Sequence, residues 1–170
     1  AFKQNLVARH IAADKIHVVM NGVDLDRYEP KDRNEDLAAE WHLTGKFVVG
    51  YIGTHGMAHG LTNVLDTADI LEGQSDIAFL FVGAGAERDA LMAESVRRKQ
   101  KNVVFVPAQP KERMPDFWSL CDVALVHLKD SPAFADVLPS KIFEAMAMGR
   151  PILLVSPDGE AKDLVALREA

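Results

Sequence analysis

The segment PSKIFEAMAMGRPIL, residues 139 to 153, sets a base and an acid, Lys141 and Glu144, three positions apart in an otherwise small and apolar run. Read as a helix that stops at Gly149 and gives way to a strand, it places both charges on one face. A carboxylate has two acceptor oxygens, enough to take both hydroxyls of a ribose diol. An ammonium is a mobile positive charge, and the free N–H groups of a first helical turn also favour an anion such as a diphosphate. Pro139 suits that first turn, and Ser140 can offer it a capping hydroxyl. The plain alternative is a solvated i,i+3 ion pair worth only about 0.3 kcal/mol. That alternative predicts further polar residues along the helix, whereas AMAMG follows Glu144.

Three other stretches carry chemistry of the same kind. GTHGMAHG, residues 53 to 60, places Gly53, Gly56 and Gly60 between an apolar run and a helical pattern. Glycines there let backbone approach a ligand and leave amides free for phosphate oxygens, although a tight βα turn needs them too. Gly83-Ala84-Gly85 and Pro107-Ala108-Gln109-Pro110 follow later apolar runs and read equally as turns or as main-chain contacts to a ligand. The spacing is not G-x-G-x-x-G, and the second run ends Val82-Gly83 rather than in a ribose-binding acid, so a dinucleotide is disfavoured. Asp136, eight positions before Glu144, falls in the loop KDSPAFADVL that ends at Leu138, where a turn or cap role is the ordinary one. His55 and His59 are four apart but lack the third and fourth ligands of a zinc site, and no metal is expected. His17 and His127 read as structural strand residues, and Phe117, Trp118, Met146 and Met148 as core. No G-x-S-x-G nucleophile motif is present.

The elements that must position these residues alternate from Lys46 onward. Apolar runs KFVVGYI, IAFLFVG, NVVFVP, DVALVHL and PILLVS are separated by the helical patterns LTNVLDTADILEG, ERDALMAESVRRKQ, KERMPDFWSL and PSKIFEAMAMG. Continuous apolar runs of this length mark strands covered on both faces of a parallel sheet. The expectation is an α/β fold, a Rossmann-like doubly wound parallel sheet. Ligands of such sheets sit at the carboxyl ends of the strands where strand order reverses, here between loops 53–60 and 129–138. Ahead of this unit, Asn34 is placed to cap a short helix, RNEDLAAEWHL, and residues 21 to 30 read as a polar linker.

Bulk properties narrow the classes. The 170 residues suffice for one domain, with 48% hydrophobic and 26% charged residues as in an ordinary globular protein. A formal charge of −6 argues against a nucleic-acid-binding face but not against a local anion site. Cys121 is the single cysteine, so no disulfide framework exists and a cytoplasmic setting is expected. No run approaches the length of a membrane-spanning helix, and no signal peptide is visible. The chain begins at Ala1 in a helical pattern, AFKQNLVARHIAAD, and stops at Ala170 in another, DLVALREA. We expect a fragment: 1–30 the tail of an absent N-terminal domain with its linker, 31–170 a nucleotide-sugar-binding domain truncated at its C-terminal end.

VVMNGVDLDRYEP, FVGAGAERDAL, DFWSLCDVAL and PSKIFEAMAMGRPIL together resemble the linker and C-terminal, donor-binding half of the retaining glycosyltransferases of family 4, which have the two-domain GT-B fold. YIGTHGMAHGL with LPSKIFEAMA is most similar to bacterial transferases of N-acetylated deoxyamino sugars, such as L-fucosamine transferases of surface polysaccharide assembly. The resemblance implies a nucleotide-diphosphate sugar, UDP-linked, as donor and no bound cofactor. It implies a lipid-linked or oligosaccharide acceptor held by the absent domain, with peripheral association at the inner face of the membrane through that domain. It assigns Glu144 to the ribose, Asp136 to the donor sugar and residues 107 to 110 to the base. The arginine and lysine that many relatives carry for the diphosphate are replaced by Thr54 and His59, leaving Lys141, His55, His59 and the helix amides to supply positive charge. A sugar-nucleotide 2-epimerase on the same architecture and a non-catalytic nucleotide-binding module are the competing readings.

Overall fold

The computed structural model describes residues 2–166. Five strands form one parallel sheet: β1 (Phe47–Ile52), β2 (Ile77–Val82), β3 (Val103–Val106), β4 (Val123–His127) and β5 (Ile152–Val155). Their order is β3-β2-β1-β4-β5, so the winding reverses between β1 and β4. Each of the five expected strands is present, and the fold is the expected Rossmann-like one. The apolar runs of β1 and β2 are buried at every position after the first, as strands covered on both faces must be.

Helices α1 (Phe2–Ala8), α2 (Glu35–Glu40), α3 (Thr62–Ile70), α4 (Arg88–Arg98), α5 (Met114–Leu120), α6 (Lys141–Ala147) and α7 (Glu160–Ala166) complete the chain. One face of the sheet packs on α2 and α5, with Trp118, Phe117, Leu120 and Cys121 fully enclosed. The other face packs on α3 and α4 through Leu61, Leu65 and Leu91 against Tyr51, Phe79 and Phe81. Ile142 of α6 and Ala161 of α7 enclose Val126 in a smaller cluster by the last strands. Asn34 caps α2 as expected, its side-chain oxygen accepting the Leu37 N–H at 3.0 Å. Burial in the helix-covered face also pushes the Cys121 thiol up to about 12, which keeps it protonated and unreactive.

Several local expectations are corrected. The first helix stops at Ala8 instead of running to Asp14, and His10 takes a left-handed φ of 66° just beyond it. His17 is in no strand: residues 16 to 20 are irregular, and Val18, Val19 and Met20 face solvent because no sheet edge lies beside them for pairing. The linker is irregular but bound to the domain. Tyr28 is buried and Asn21 donates to the Leu138 carbonyl at 3.1 Å; just past the linker, Arg33 donates to the Leu120 and Leu43 carbonyls at 2.9 and 2.8 Å. The last residues of the run DLVALREA, from 167 on, lie outside the described residues. Among the described residues no helix is long and apolar enough to cross a membrane.

The carboxyl ends of the first three strands are tied together by main chain. Gly53 donates to Val82, Gly83 to Val106 and His55 to Ala84, at 2.9, 3.1 and 2.8 Å. The loops approach so closely that a Cβ on Gly83, whose φ is 146°, would sit 2.0 Å from the Gly53 carbonyl oxygen. Gly83→Ala is therefore expected to cost about 2–4 kcal/mol through backbone strain and a clash that no rotamer relieves. Urea unfolding measures it; a loss under about 0.5 kcal/mol would show that the loops separate easily.

Candidate functional site

At the switch point a cleft of about 550 Å³ opens over the carboxyl ends of β1, β2 and β3 and against the start of α6. Gly53, Thr54 and His59 line it from the first loop, Gly83 from the second, and Ala108 and Gln109 from the third. Pro139, Ser140, Lys141 and Glu144 line it from α6 and the turn before it. A larger cavity of about 750 Å³, beside Trp41, Lys46 and Lys101, lies at the amino ends of β2 and β3. Ligands of open parallel sheets bind at the other end, so the smaller cleft is the candidate site.

Lys141 is the first residue of α6 and its side chain turns inward, leaving it only 7% exposed. Its ammonium rests 3.5 Å from the centroid of the Tyr51 ring and has no hydrogen-bond partner among the described residues. A Cβ on Gly53 would fall 3.3 Å from both Cε and Nζ of Lys141, so glycine at 53 leaves the amine room beside the loop backbone. Burial lowers the pKa of the amine from 10.5 to about 7, with the Glu144 carboxylate pulling the other way. The Tyr51 hydroxyl is occupied elsewhere, donating to the Thr54 carbonyl at 2.7 Å.

Glu144 lies one turn on, half-buried, and accepts the Trp118 indole N–H at 3.0 Å. It forms no ion pair with Lys141 within 4 Å among the described residues, which removes the solvated i,i+3 pair as an explanation. The indole fixes one carboxylate oxygen and leaves the carboxylate facing the cleft. Tyr28 lines the same wall, its phenol pushed up to about 12 by burial and then by Glu144. Tyr28, Trp118, Lys111 and Met114 escaped the sequence reading of the site. Tyr28, Lys111 and Met114 line the cleft, while the fully buried Trp118 acts from behind it through Glu144, and no local spacing marks any of the four.

His55 is completely enclosed, among Tyr51, Phe81 and Phe105, with both ring nitrogens unpartnered among the described residues. Burial, then the charges of Arg88, Lys141 and His59, lower its pKa to about 4, so the ring is neutral at physiological pH. His59 hydrogen-bonds through Nδ1 to the His127 carbonyl at 3.2 Å and lines the cleft. His127 ends β4 and is buried, as expected of a structural histidine.

The structure thus gathers Gly53, Thr54, His59, Gly83, Ala108, Gln109, Pro139, Ser140, Lys141 and Glu144 around one cleft. His55 lies behind the loop rather than on the cleft wall, and Gly56 and Leu138 are not on that wall either; Leu138 packs towards Ile142. Ser140 makes no capping bond; its own φ of −59° and ψ of −27° are already helical, so its hydroxyl does not reach the N–H groups ahead of it. Asp136 is exposed, just beyond the turn Pro132–Phe134, and does not line the cleft. Residues 135 to 140 belong to no helix or strand, so the eight-position spacing sets no shared face for Asp136 and Glu144. Among the described residues no cluster of three His, Cys, Asp or Glu side chains is arranged for a metal.

A parallel sheet with an anion-suited cleft at its switch point defines a Rossmann-like ligand-binding domain of the kind that forms half of a GT-B enzyme. Residues 46–168 match the family described as "Glycosyl transferases group 1", and the chain belongs to that family. It is 30% identical over 143 residues to TuaH of Bacillus subtilis (strain 168), named for teichuronic acid biosynthesis, covering 82% of this chain and 34% of that protein. It is 28% identical over 166 residues to a GDP-mannose-dependent alpha-mannosyltransferase of Mycobacterium tuberculosis (strain CDC 1551 / Oshkosh), covering 97% and 39%. Its fold is shared with Anabaena HepE, solved with UDP-glucose, at a TM-score of 0.70 and 18% identity over 97% of this chain and 50% of that one. The chain spans well under half the length of these curated relatives.

The burial of Lys141 has a measurable cost. The unfolded chain keeps this amine protonated up to about 10.5, the folded chain only up to about 7. The unfolded state therefore binds the extra proton between these values. The penalty is full below about pH 7 and fades as pH rises. Lys141→Met is expected to stabilise the fold by on the order of 1–4 kcal/mol at neutral pH, with a smaller gain at about pH 9. Urea titrations of both proteins at the two pH values measure the difference; a destabilised or pH-independent variant contradicts the assignment.

Proposed function

We propose that this chain is the donor-binding half of a retaining glycosyltransferase, and that the cleft holds the nucleoside diphosphate of a UDP-linked N-acetyl amino sugar. The observation that carries the reading is the unpartnered, buried ammonium of Lys141 sharing a cleft with an oriented Glu144 carboxylate. The ammonium supplies the charge that a diphosphate leaving group needs as its bond to the sugar breaks. Among the described residues Lys141 is paired with no acid, so an anion meets it without displacing one. The Glu144 carboxylate suits the two ribose hydroxyls. Main chain at Ala108 and Gln109 offers hydrogen bonds to the base, and Gly53 and Gly83 let the diphosphate close on the backbone. Asp136 is assigned to the sugar side, out towards solvent.

The uridine assignment is supported by the UDP-glucose complex of HepE, and the GDP-mannose dependence named for the mycobacterial relative supplies its competitor. The resemblance of YIGTHGMAHGL and LPSKIFEAMA to L-fucosamine transferases supports an N-acetyl amino sugar. Charge neutralisation falls to Lys141, the nearby histidines and loop amides, with no bound cofactor. A second domain would bring the lipid-linked or oligosaccharide acceptor on the cytoplasmic face of the membrane, and this chain alone transfers no sugar.

Calorimetric titration with UDP-N-acetylglucosamine, UDP-glucose and GDP-mannose tests the donor. UDP-sugars are expected to bind and GDP-mannose at least tenfold more weakly; the reverse order overturns the uridine assignment. Glu144→Ala is expected to weaken UDP by about 10-fold or more while leaving pyrophosphate within about twofold. Equal losses for both ligands contradict the ribose role.

A further inference from the structure

The cleft's positive charge is unusual in being reversible. Around the Lys141 amine lie Tyr51 from β1, His55 and His59 from the following loop, and His127 from β4. Arg88 at the start of α4 adds its charge to His55, and Lys129 packs beside Gly60 and His127. The carboxylates facing this group are few: Glu144 on the same helix, held by Trp118, and Glu87 ahead of α4, which acts on Tyr51 and His59. Three bases line the cleft, Lys141 and His59 from this group and Lys111 from the turn ahead of α5.

His59 has a defined tautomer. A carbonyl only accepts, so its contact with the His127 oxygen at 3.2 Å assigns the proton to Nδ1 and leaves the lone pair on Nε2 in the neutral ring. Protonation at Nε2 turns that atom from an acceptor into a charged donor. Lys141 likewise becomes a three-donor cation when it gains a proton, and no group among the described residues accepts a hydrogen bond from it.

We infer that donor binding is coupled to proton uptake: Lys141 and His59 each gain a proton as the diphosphate enters, so this pair carries less charge in the free cleft than in the bound one. The inference rests on the donor-site reading above. Its physical basis is that a buried, partnerless base pays desolvation for its charge until an anion arrives to offset it. Burial lowers both groups' pKa values, Lys141 to about 7, and Lys141 lowers that of His59 further. The sign follows: binding takes up protons above about pH 7, and affinity falls as pH rises.

UDP-N-acetylglucosamine is the suitable probe, because its diphosphate is a diester whose charge is constant in this range. Calorimetry between about pH 7 and 8 in buffers of different ionisation enthalpy is expected to give an uptake of about 0.5–1.5 protons, with Kd rising about 3- to 30-fold per pH unit over the same range. Lys141→Arg, a permanent cation, should still bind and take up distinctly fewer protons; His59→Gln should remove the remaining share. Independently of any variant, the Lys141 side-chain NMR signal should titrate near neutrality in the free protein and above about pH 9 with the sugar nucleotide bound. Binding with no buffer dependence, or a free Lys141 that titrates above about pH 9, overturns the coupling and leaves the donor site standing. Failure of every nucleotide sugar to bind sinks the donor-site reading and the coupling together.

Discussion

A lysine ammonium buried with no hydrogen-bond or ion-pair partner among the described residues is the constraint around which this domain is arranged. Lys141 is enclosed by the Tyr51 ring below it, the Gly53 backbone beside it and helix α6 behind it. A cation over a ring face gains roughly 1–2 kcal/mol, less than the cost of leaving water. The deficit is tolerable because hydrophobic burial on both faces of the sheet holds α6 and β1 in place. Stability is spent at the point where an incoming anion would recover it, which is common where a protein keeps a binding group preorganised.

The rest of the site follows from that choice. The loops after β1 and β2 are locked by main-chain bonds, so the cleft wall they present at Gly53 and Gly83 is backbone. Glu144 is drawn off by the Trp118 indole rather than closing on the lysine, which keeps acid and base as separate contact points in one cleft. The three histidines behind and beside the loop are kept largely uncharged by burial, so they fill space without adding permanent repulsion.

Legibility from the amino-acid order was uneven, and the unevenness has causes. FVVGYI and IAFLFV announced central parallel strands because burial on both faces leaves no room for polar alternation. Lys141 and Glu144 announced a shared helix face through their spacing. IHVVM misled for His17, since an apolar run records hydrophobicity and says nothing about whether a sheet edge is near. Ser140 misled because its residue type suits a cap while its backbone had already entered the helix. Asp136 was grouped with Glu144 by separation along a loop, where separation carries no geometry.

What the sequence determined by itself is therefore local and periodic: five strands, the helices between them, the glycine-bearing turns, and from these the end of the sheet where a ligand belongs. Tertiary structure alone decided which atoms meet there. It set Lys141 on Tyr51 without a partner, gave Glu144 to Trp118, brought in Tyr28 from the linker, enclosed His55 and left Asp136 outside. The physical reason is range. Periodicity reports which face of an element is buried, whereas charge state and hydrogen-bond partners depend on groups far apart in the chain that only packing brings within a few ångströms.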